Sequence, residues 1–303
     1  MTLRLHGLVA ATHTPFSADG QLNLSMVEKQ AEHLLKNGVG AVFIGGTTGE
    51  NHSLSVAERL ALTQRWSDVV RGSKLRLVVH VGSNCLADAR SLAAQSQTLG
   101  VSAIAALAPS YFKPETLESL IACCSDIAAA APGTPFYYYD IPHLTGVRLP
   151  MAELLSLASE RIATLAGIKF SNSDLMTYQK CLHTMDRKFD MPWGFDEFLL
   201  AALALGGRGA VGSTYNFAAP IYHRVIAAFE RGDLAAARTE QFRSVQMIDL
   251  LASYGFIAAS KAVMGFLGID VGPARLPLAN LQNDQRERLR ASLEKIGFFS
   301  WIR

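Results

Sequence analysis

The amino-acid sequence predicts an α/β fold, a (β/α)₈ (TIM) barrel with a C-terminal helical extension, and three observations carry that expectation. Short apolar runs that end in Gly, Ser, Thr, Asn or Pro alternate with longer stretches of helical period over two thirds of the chain. Eight such runs can be marked out, and 303 residues suffice for one barrel with some to spare. After the eighth run the pattern is helical only, so those helices have no strand to follow and are placed as a bundle packed on the barrel. The expected division is a barrel over 1–230 and a helical bundle over 231–303.

The first run, 7–12, opens on Gly7 and stops at Thr12, and apolar residues at helical spacing follow over 24–35. The second, 40–44, enters a Gly-rich turn, after which Ser55 and Glu58 form a capping box ahead of Leu60, Ala61 and Leu62. Runs at 75–81 and 103–107 lead into helical patterns at 86–99 and 115–131. Run 135–139 precedes a helix over 151–159, and run 164–170 one over 175–185. The shortest runs, 192–194 and 209–211, precede helices over 197–205 and from Pro220. The extension then comprises helices at 233–251, 257–267 and 280–295. An open doubly wound sheet is the alternative, but it wants a Gly-x-Gly-x-x-Gly turn, and Gly45, Gly46 and Gly49 do not keep that spacing.

Half of the residues are hydrophobic, 18% are charged and the net charge is only +2, so a large core is easily built and no strong field is left over. Nucleic acid and membrane surfaces are not expected partners. No stretch reaches the ~18 to 20 unbroken apolar residues of a membrane span, and the chain start lacks the apolar run of a signal peptide, so the mature chain is expected to begin near Met1. Cys85, Cys123, Cys124 and Cys181 show no metal-binding spacing and read as reduced core thiols of a cytoplasmic protein. His13, His52 and His80 lie near strand ends without an HxH or HExxH pattern, so no metal is expected.

Polar groups at the C-terminal ends of barrel strands converge on one mouth, which is where chemistry is to be sought. Lys169 stands in an apolar strand, Ala166-Gly-Ile-Lys-Phe170, where its charge must enter a cavity or escape along its stem. A buried strand makes escape hard, and desolvation would lower the amine pKa and yield a neutral nucleophile for a ketone. Lys261, in the extension, has the plain reading of a surface lysine. Gly45-Gly-Thr-Thr-Gly-Glu50 offers N–H and O–H donors suited to a carboxylate, with Glu50 bracing the turn. Together with Lys169 it fits a 2-oxo acid, which needs an amine for its ketone and a nest for its carboxylate. Tyr137 and Tyr139 share a face of their strand, and Tyr139 is expected to shuttle protons with its pKa lowered by the ammonium. Gly212 and Ser213 read as substrate-contacting backbone, since no G-x-S-x-G elbow surrounds the serine.

These motifs, with Tyr139-Asp-Ile-Pro142, Gly194-Phe-Asp-Glu197 and Gly212-Ser-Thr-Tyr-Asn216, occur in one order over 7–277. In that order they resemble the N-acetylneuraminate lyase and dihydrodipicolinate synthase superfamily of class I aldolases. The lyase branch is the more similar, because Phe170 and Ser171 follow the lysine and Leu144 stands where synthases carry an arginine. The resemblance implies Lys169 as the Schiff-base lysine, Tyr139 as proton shuttle and Thr47 and Thr48 as the carboxylate site. It implies Ser171, Gly194, Asp196, Glu197 and Ser213 as contacts to a hydroxyl-bearing tail, and Tyr111 as a tyrosine lent across a dimer interface. It further implies cleavage of N-acetylneuraminate to pyruvate and N-acetylmannosamine without cofactor, in a homotetramer built as a dimer of dimers. Asp140, Thr47 and Phe195 depart from the common asparagine, serine and tyrosine, which leaves the identity of the sugar acid open. A related aldolase or dehydratase on another 2-oxo sugar acid, a dihydrodipicolinate synthase-like enzyme and a silent sugar-acid-binding barrel are the alternatives.

Overall fold

The computed structural model describes residues 3–303, and the chain start expected near Met1 lies outside them. Seven parallel strands are formed: β1 Gly7–Ala11, β2 Ala41–Ile44, β3 Arg76–His80, β4 Ala103–Leu107, β5 Phe136–Asp140, β6 Leu165–Phe170 and β7 Gly209–Gly212. Their order is β6-β5-β4-β3-β2-β1-β7. The sheet closes through residues 190–194, where single parallel bridges join Gly167 to Asp190, Phe170 to Trp193 and Trp193 to Ala210. The strand expected at 192–194 is thus reduced to bridges. Pro192 has no N–H to give and contributes only its carbonyl, to Phe170 N at 2.9 Å, so Trp193 alone pairs on both sides.

The helices are α1 Met26–Lys36, α2 Val56–Val70, α3 Leu86–Thr98, α4 Leu117–Ala129, α5 Pro142–Thr145, α6 Met151–Ala158, α7 Leu175–His183, α8 Leu199–Ala204 and α9 Tyr215–Glu230. The extension adds α10 Leu234–Ser253, α11 Phe256–Phe266, α12 Asn283–Ile296 and α13 Phe298–Trp301. The capping box that starts α2 is formed in both directions, Glu58 N to Ser55 Oγ at 3.2 Å and Ser55 N to Glu58 Oε2 at 2.9 Å. The helix expected from Pro220 starts five residues earlier in α9, which is kinked at Ala218 ahead of the proline. Among the described residues no single helix is long and apolar enough to cross a membrane.

The barrel interior is filled by alternate strand residues, among them Val9, Ala41, Phe43, Val78, Ala103, Ala105, Tyr137 and Val211. Alanines on neighbouring staves leave room for the large rings of Tyr137 and Phe43. Tyr137 closes the lower end by donating to buried Asp190 Oδ2 at 2.8 Å, which also accepts Leu5 N at 2.6 Å. Two thiol assignments are corrected: Cys85, just ahead of α3, is exposed and Cys123 half-buried, and only Cys124 and Cys181 are core.

Lys261 is also corrected, because α11 turns it inward. Its ammonium is buried 2.6 Å from Glu50 Oε1, off the hydrogen-bonding direction, and donates to the carbonyls of Thr14 at 3.1 Å and Pro273 at 2.8 Å. Burial lowers its pKa even against the raising effect of Glu50. The amphipathic spacing of 257–267 could not show this, because the partner lies more than two hundred residues away in sequence. Removing one member leaves the other charge buried alone, so Lys261→Met should cost about 3 to 5 kcal/mol of stability in chemical denaturation. A loss below about 1 kcal/mol would show the site to be solvated.

Candidate active site

Register decides the centre of the site. In the parallel pairing of β5 with β6, Tyr139 lies directly opposite Lys169, and the two-residue period turns both side chains into the barrel. The Lys169 amine sits 3.9 Å above the ring of Phe43 and 3.9 Å above that of Tyr139. It is fully surrounded, and burial brings its pKa from 10.5 down to about 7, opposed only in part by the Asp196 carboxylate. A large neutral fraction is therefore present near pH 7.

The turn after β2 faces this amine. Thr47 Oγ1 lies 3.2 Å from the Tyr139 hydroxyl, and Thr48 Oγ1 lies 2.6 Å from Ser213 Oγ. Ser213 thus presents its side-chain hydroxyl to this turn, where only its backbone was expected to matter. Glu50 adopts a left-handed conformation, φ 55°, and points away from the cavity, held by Lys261 and by Arg275 N at 2.7 Å. The lowered phenol pKa expected for Tyr139 is overturned. Burial raises it to about 12, against the smaller opposing effects of its Thr47 and Ser171 hydrogen bonds, so the group is a neutral phenol near pH 7.

A short 3₁₀ turn, Asp196–Phe198, sits between residue 194 and α8, so Glu197 precedes the helix it was expected to begin. Asp196 is buried and bent inward, accepting Thr214 N at 2.8 Å and Thr214 Oγ1 at 2.6 Å, and burial raises its pKa. Gly212 makes this possible, because any side chain there would overlap the Asp196 carboxylate. Gly194 is required likewise, since a Cβ would collide with Ser171. Gln241 of α10 fastens the turn from the extension, donating to Asp196 O at 3.1 Å. Burial moves the Glu197 carboxyl up to about 6.

Thr47, Thr48, Tyr139, Lys169, Ser171, Gly194, Asp196, Glu197 and Ser213 all line one open cavity of about 270 Å³ at the C-terminal mouth of the barrel. Two expected residues do not. Gly212 lies behind Asp196, and Tyr111 is 79% exposed on the surface, edge-on to Phe112 at 5.1 Å. The wall also contains Leu144 of α5, at the position where synthases carry an arginine, and His143 of α5, Ile248 of α10 and Phe256 and Ile257 of α11, which were not foreseen as pocket residues. No local motif marks the last three, since they reach the mouth only because the extension folds over it. Among the described residues no three His, Cys, Asp or Glu side chains gather as a metal ion would need. A larger depression of about 360 Å³ lies at the opposite end, among Arg4, Arg187 and Arg208, away from the amine and the hydroxyls.

Sequence and fold are both shared with known proteins. The dihydrodipicolinate synthetase family model matches residues 4–296. The chain belongs to this family. It is 40% identical to N-acetylneuraminate lyase of Gallus gallus over 297 residues, 97% of this chain and 96% of that protein. The structure of Proteus mirabilis N-acetylneuraminate lyase superposes with a TM-score of 0.95 at 38% identity, over 98% of this chain and 100% of that one. The native N-acetylneuraminate lyase of Aliivibrio salmonicida, a sialic acid aldolase, does so with a TM-score of 0.95 at 40% identity, over 98% of both chains. The resemblance read in the motifs therefore extends over the whole fold of the family, C-terminal helices included.

Proposed function

We propose that this chain is a class I aldolase that cleaves N-acetylneuraminate to pyruvate and N-acetylmannosamine through a Schiff base on Lys169. The observation that carries this reading is the desolvated Lys169 amine set in register with the Tyr139 phenol, in one cavity with the Thr47 and Thr48 hydroxyls. The neutral amine attacks the C2 ketone, water leaves and an iminium forms. The Thr47-Thr48 turn holds the carboxylate, so the ketone cannot rotate away from the amine. The iminium then draws electrons from the C3–C4 bond, giving an enamine and an aldehyde. The C4 hydroxyl loses a proton and C3 gains one, and Tyr139, a neutral phenol, relays it. Hydrolysis of the remaining iminium releases pyruvate and restores Lys169.

Asp196, Glu197, Ser171 and Ser213 face the tail of the sugar acid, and the relatives named as lyases of N-acetylneuraminate support that choice of substrate. Leu144 at the cavity rim offers no cation for the carboxylate of a second, amino-acid-like substrate, which favours cleavage over the synthase reaction. We further propose that the protein works in the cytoplasm as a homotetramer in which Tyr111 of one protomer approaches the site of its neighbour.

Borohydride reduction with pyruvate should add a stable mass to the peptide containing Lys169 and to no other, and a screen of sugar acids should show fastest pyruvate release from N-acetylneuraminate. Labelling of Lys261, or no label, would remove Lys169 as the imine-forming residue; preference for a short sugar acid would remove only the substrate. Glu197→Gln keeps the shape and loses the charge that accepts hydroxyl protons. It should lower kcat/KM for N-acetylneuraminate by roughly tenfold and by less for a shorter 2-oxo sugar acid, with an unchanged Tm. Equal losses on both substrates would count against a role in tail recognition.

A further inference from the structure

We infer that His80 is a positioning residue that locks the carboxylate-binding turn and Tyr139 to each other. The inference rests on the reading of the site given above. His80 ends β3, is buried, and lies behind the cavity wall; it is not among the lining residues. Both its ring nitrogens are used. Nδ1 is 2.9 Å from the carbonyl of Gly45, the first residue of the turn, and Nε2 accepts the backbone N–H of Leu107 at the end of β4 at 3.3 Å. A carbonyl can only accept, and Leu107 N can only donate, so the ring is held as the neutral Nδ1–H tautomer. The side-chain amide of Asn51, at 3.4 Å from Nδ1, is the longer contact and cannot donate to a nitrogen already carrying its proton.

The same ring meets Tyr139 edge-on, with centroids 5.8 Å apart and planes at 85°. Gly45 is two residues before Thr47, whose hydroxyl contacts the Tyr139 hydroxyl at 3.2 Å. His80, Gly45, Thr47 and Tyr139 therefore form a closed ring of contacts, with the histidine as the member that touches both the turn backbone and the phenol ring. Its own backbone is pinned by buried Arg59, which donates to His80 O at 2.8 Å and to Gly82 O at 3.0 Å. A histidine that merely filled space would not need two opposed hydrogen bonds to two different strand ends. Protonation would place a second N–H against Leu107 N–H, and burial together with the neighbouring Arg59 and Lys169, and the titratable His52 ring, opposes it as well.

Three substitutions separate the functions of the ring. The amide nitrogen of His80→Asn falls near Nδ1 and can still donate to Gly45 O. The amide of His80→Gln falls near Nε2 and can serve only Leu107. His80→Phe keeps the ring and loses both bonds. The half-saturating pyruvate concentration for borohydride labelling of Lys169 reads the turn, and kcat for cleavage reads Tyr139. With His80→Phe and His80→Gln the half-saturating concentration should rise about tenfold, and with His80→Asn most of that loss should be recovered. With His80→Phe, kcat should also fall. Three variants that keep wild-type labelling and kcat while only Tm drops would overturn the inference, as would an Asn variant no better than Phe. Ring-nitrogen NMR shifts decide it independently of turnover: a neutral Nδ1–H ring that does not titrate between pH 8 and about 5 is expected. An Nε2–H ring, or a midpoint near the usual His value, would overturn it. If the wild type takes no label, the imine falls, and the ring-nitrogen shifts still decide His80.

Discussion

Lys169→Met should reduce pyruvate release to the uncatalysed background, a loss on the order of 10⁶-fold or more, while the protein stays folded and gains heat stability. Methionine keeps most of the side-chain volume between Phe43 and Tyr139 and removes a group whose charged form is penalised there. The sign of the stability change follows from the folded pKa of about 7 against an ordinary 10.5. Between those values the unfolded chain binds more protons than the native one, so wild-type stability rises with pH across the window. The methionine variant should therefore lead the wild type most at pH 7 and below, and the lead should vanish as pH approaches 10.5. Wild-type kcat/KM should rise about tenfold per pH unit below about 7 and level off above it, because only the neutral amine attacks. A profile still climbing through pH 9, together with no gain in Tm for the variant, would mean that Lys169 is solvated and charged.

The barrel was legible because its signals are local. Apolar strand runs, helix spacing and the Ser55 box each report on a few neighbouring residues, and strand boundaries fell within a residue or two wherever the run was long. Residues 192–194 were the exception, since a three-residue run containing proline cannot sustain a ladder. Lys169 was legible for the same reason, a charge inside an apolar strand. What escaped depends on contacts distant in sequence. Lys261 looked like a surface residue until the extension folded back to bring Glu50 against it, and Phe256 carries no motif that marks a cavity wall. Tyr139 shows the limit most clearly. Its position could be read from the strand, but its proton affinity depends on complete enclosure, and enclosure outweighs the lowering effects of the Thr47 and Ser171 hydroxyls.

That enclosure sets up the second large effect, a fall in kcat of roughly 10² to 10⁴ for Tyr139→Phe. Phenylalanine preserves the ring that packs on Phe43, His80 and the Lys169 amine, so the barrel interior and the amine environment should be kept. Only the hydroxyl at 3.2 Å from Thr47 is lost. The carboxylate turn keeps its other anchors, so KM should change much less than kcat, and borohydride with pyruvate should still label Lys169 given time. A phenol with a pKa near 12 cannot act as a standing base at neutral pH; it can only relay, taking one proton as it gives another. It follows that wild-type kcat/KM should show no falling limb from Tyr139 below about pH 10. A falling limb near pH 8 or 9 that disappears in Tyr139→Phe would mean that the phenol ionises within the working range and serves as a base outright. A variant with near-normal kcat would mean that the proton passes from the C4 hydroxyl to C3 by another route, and the substrate's own carboxylate, held by Thr47 and Thr48, would then be the group to test.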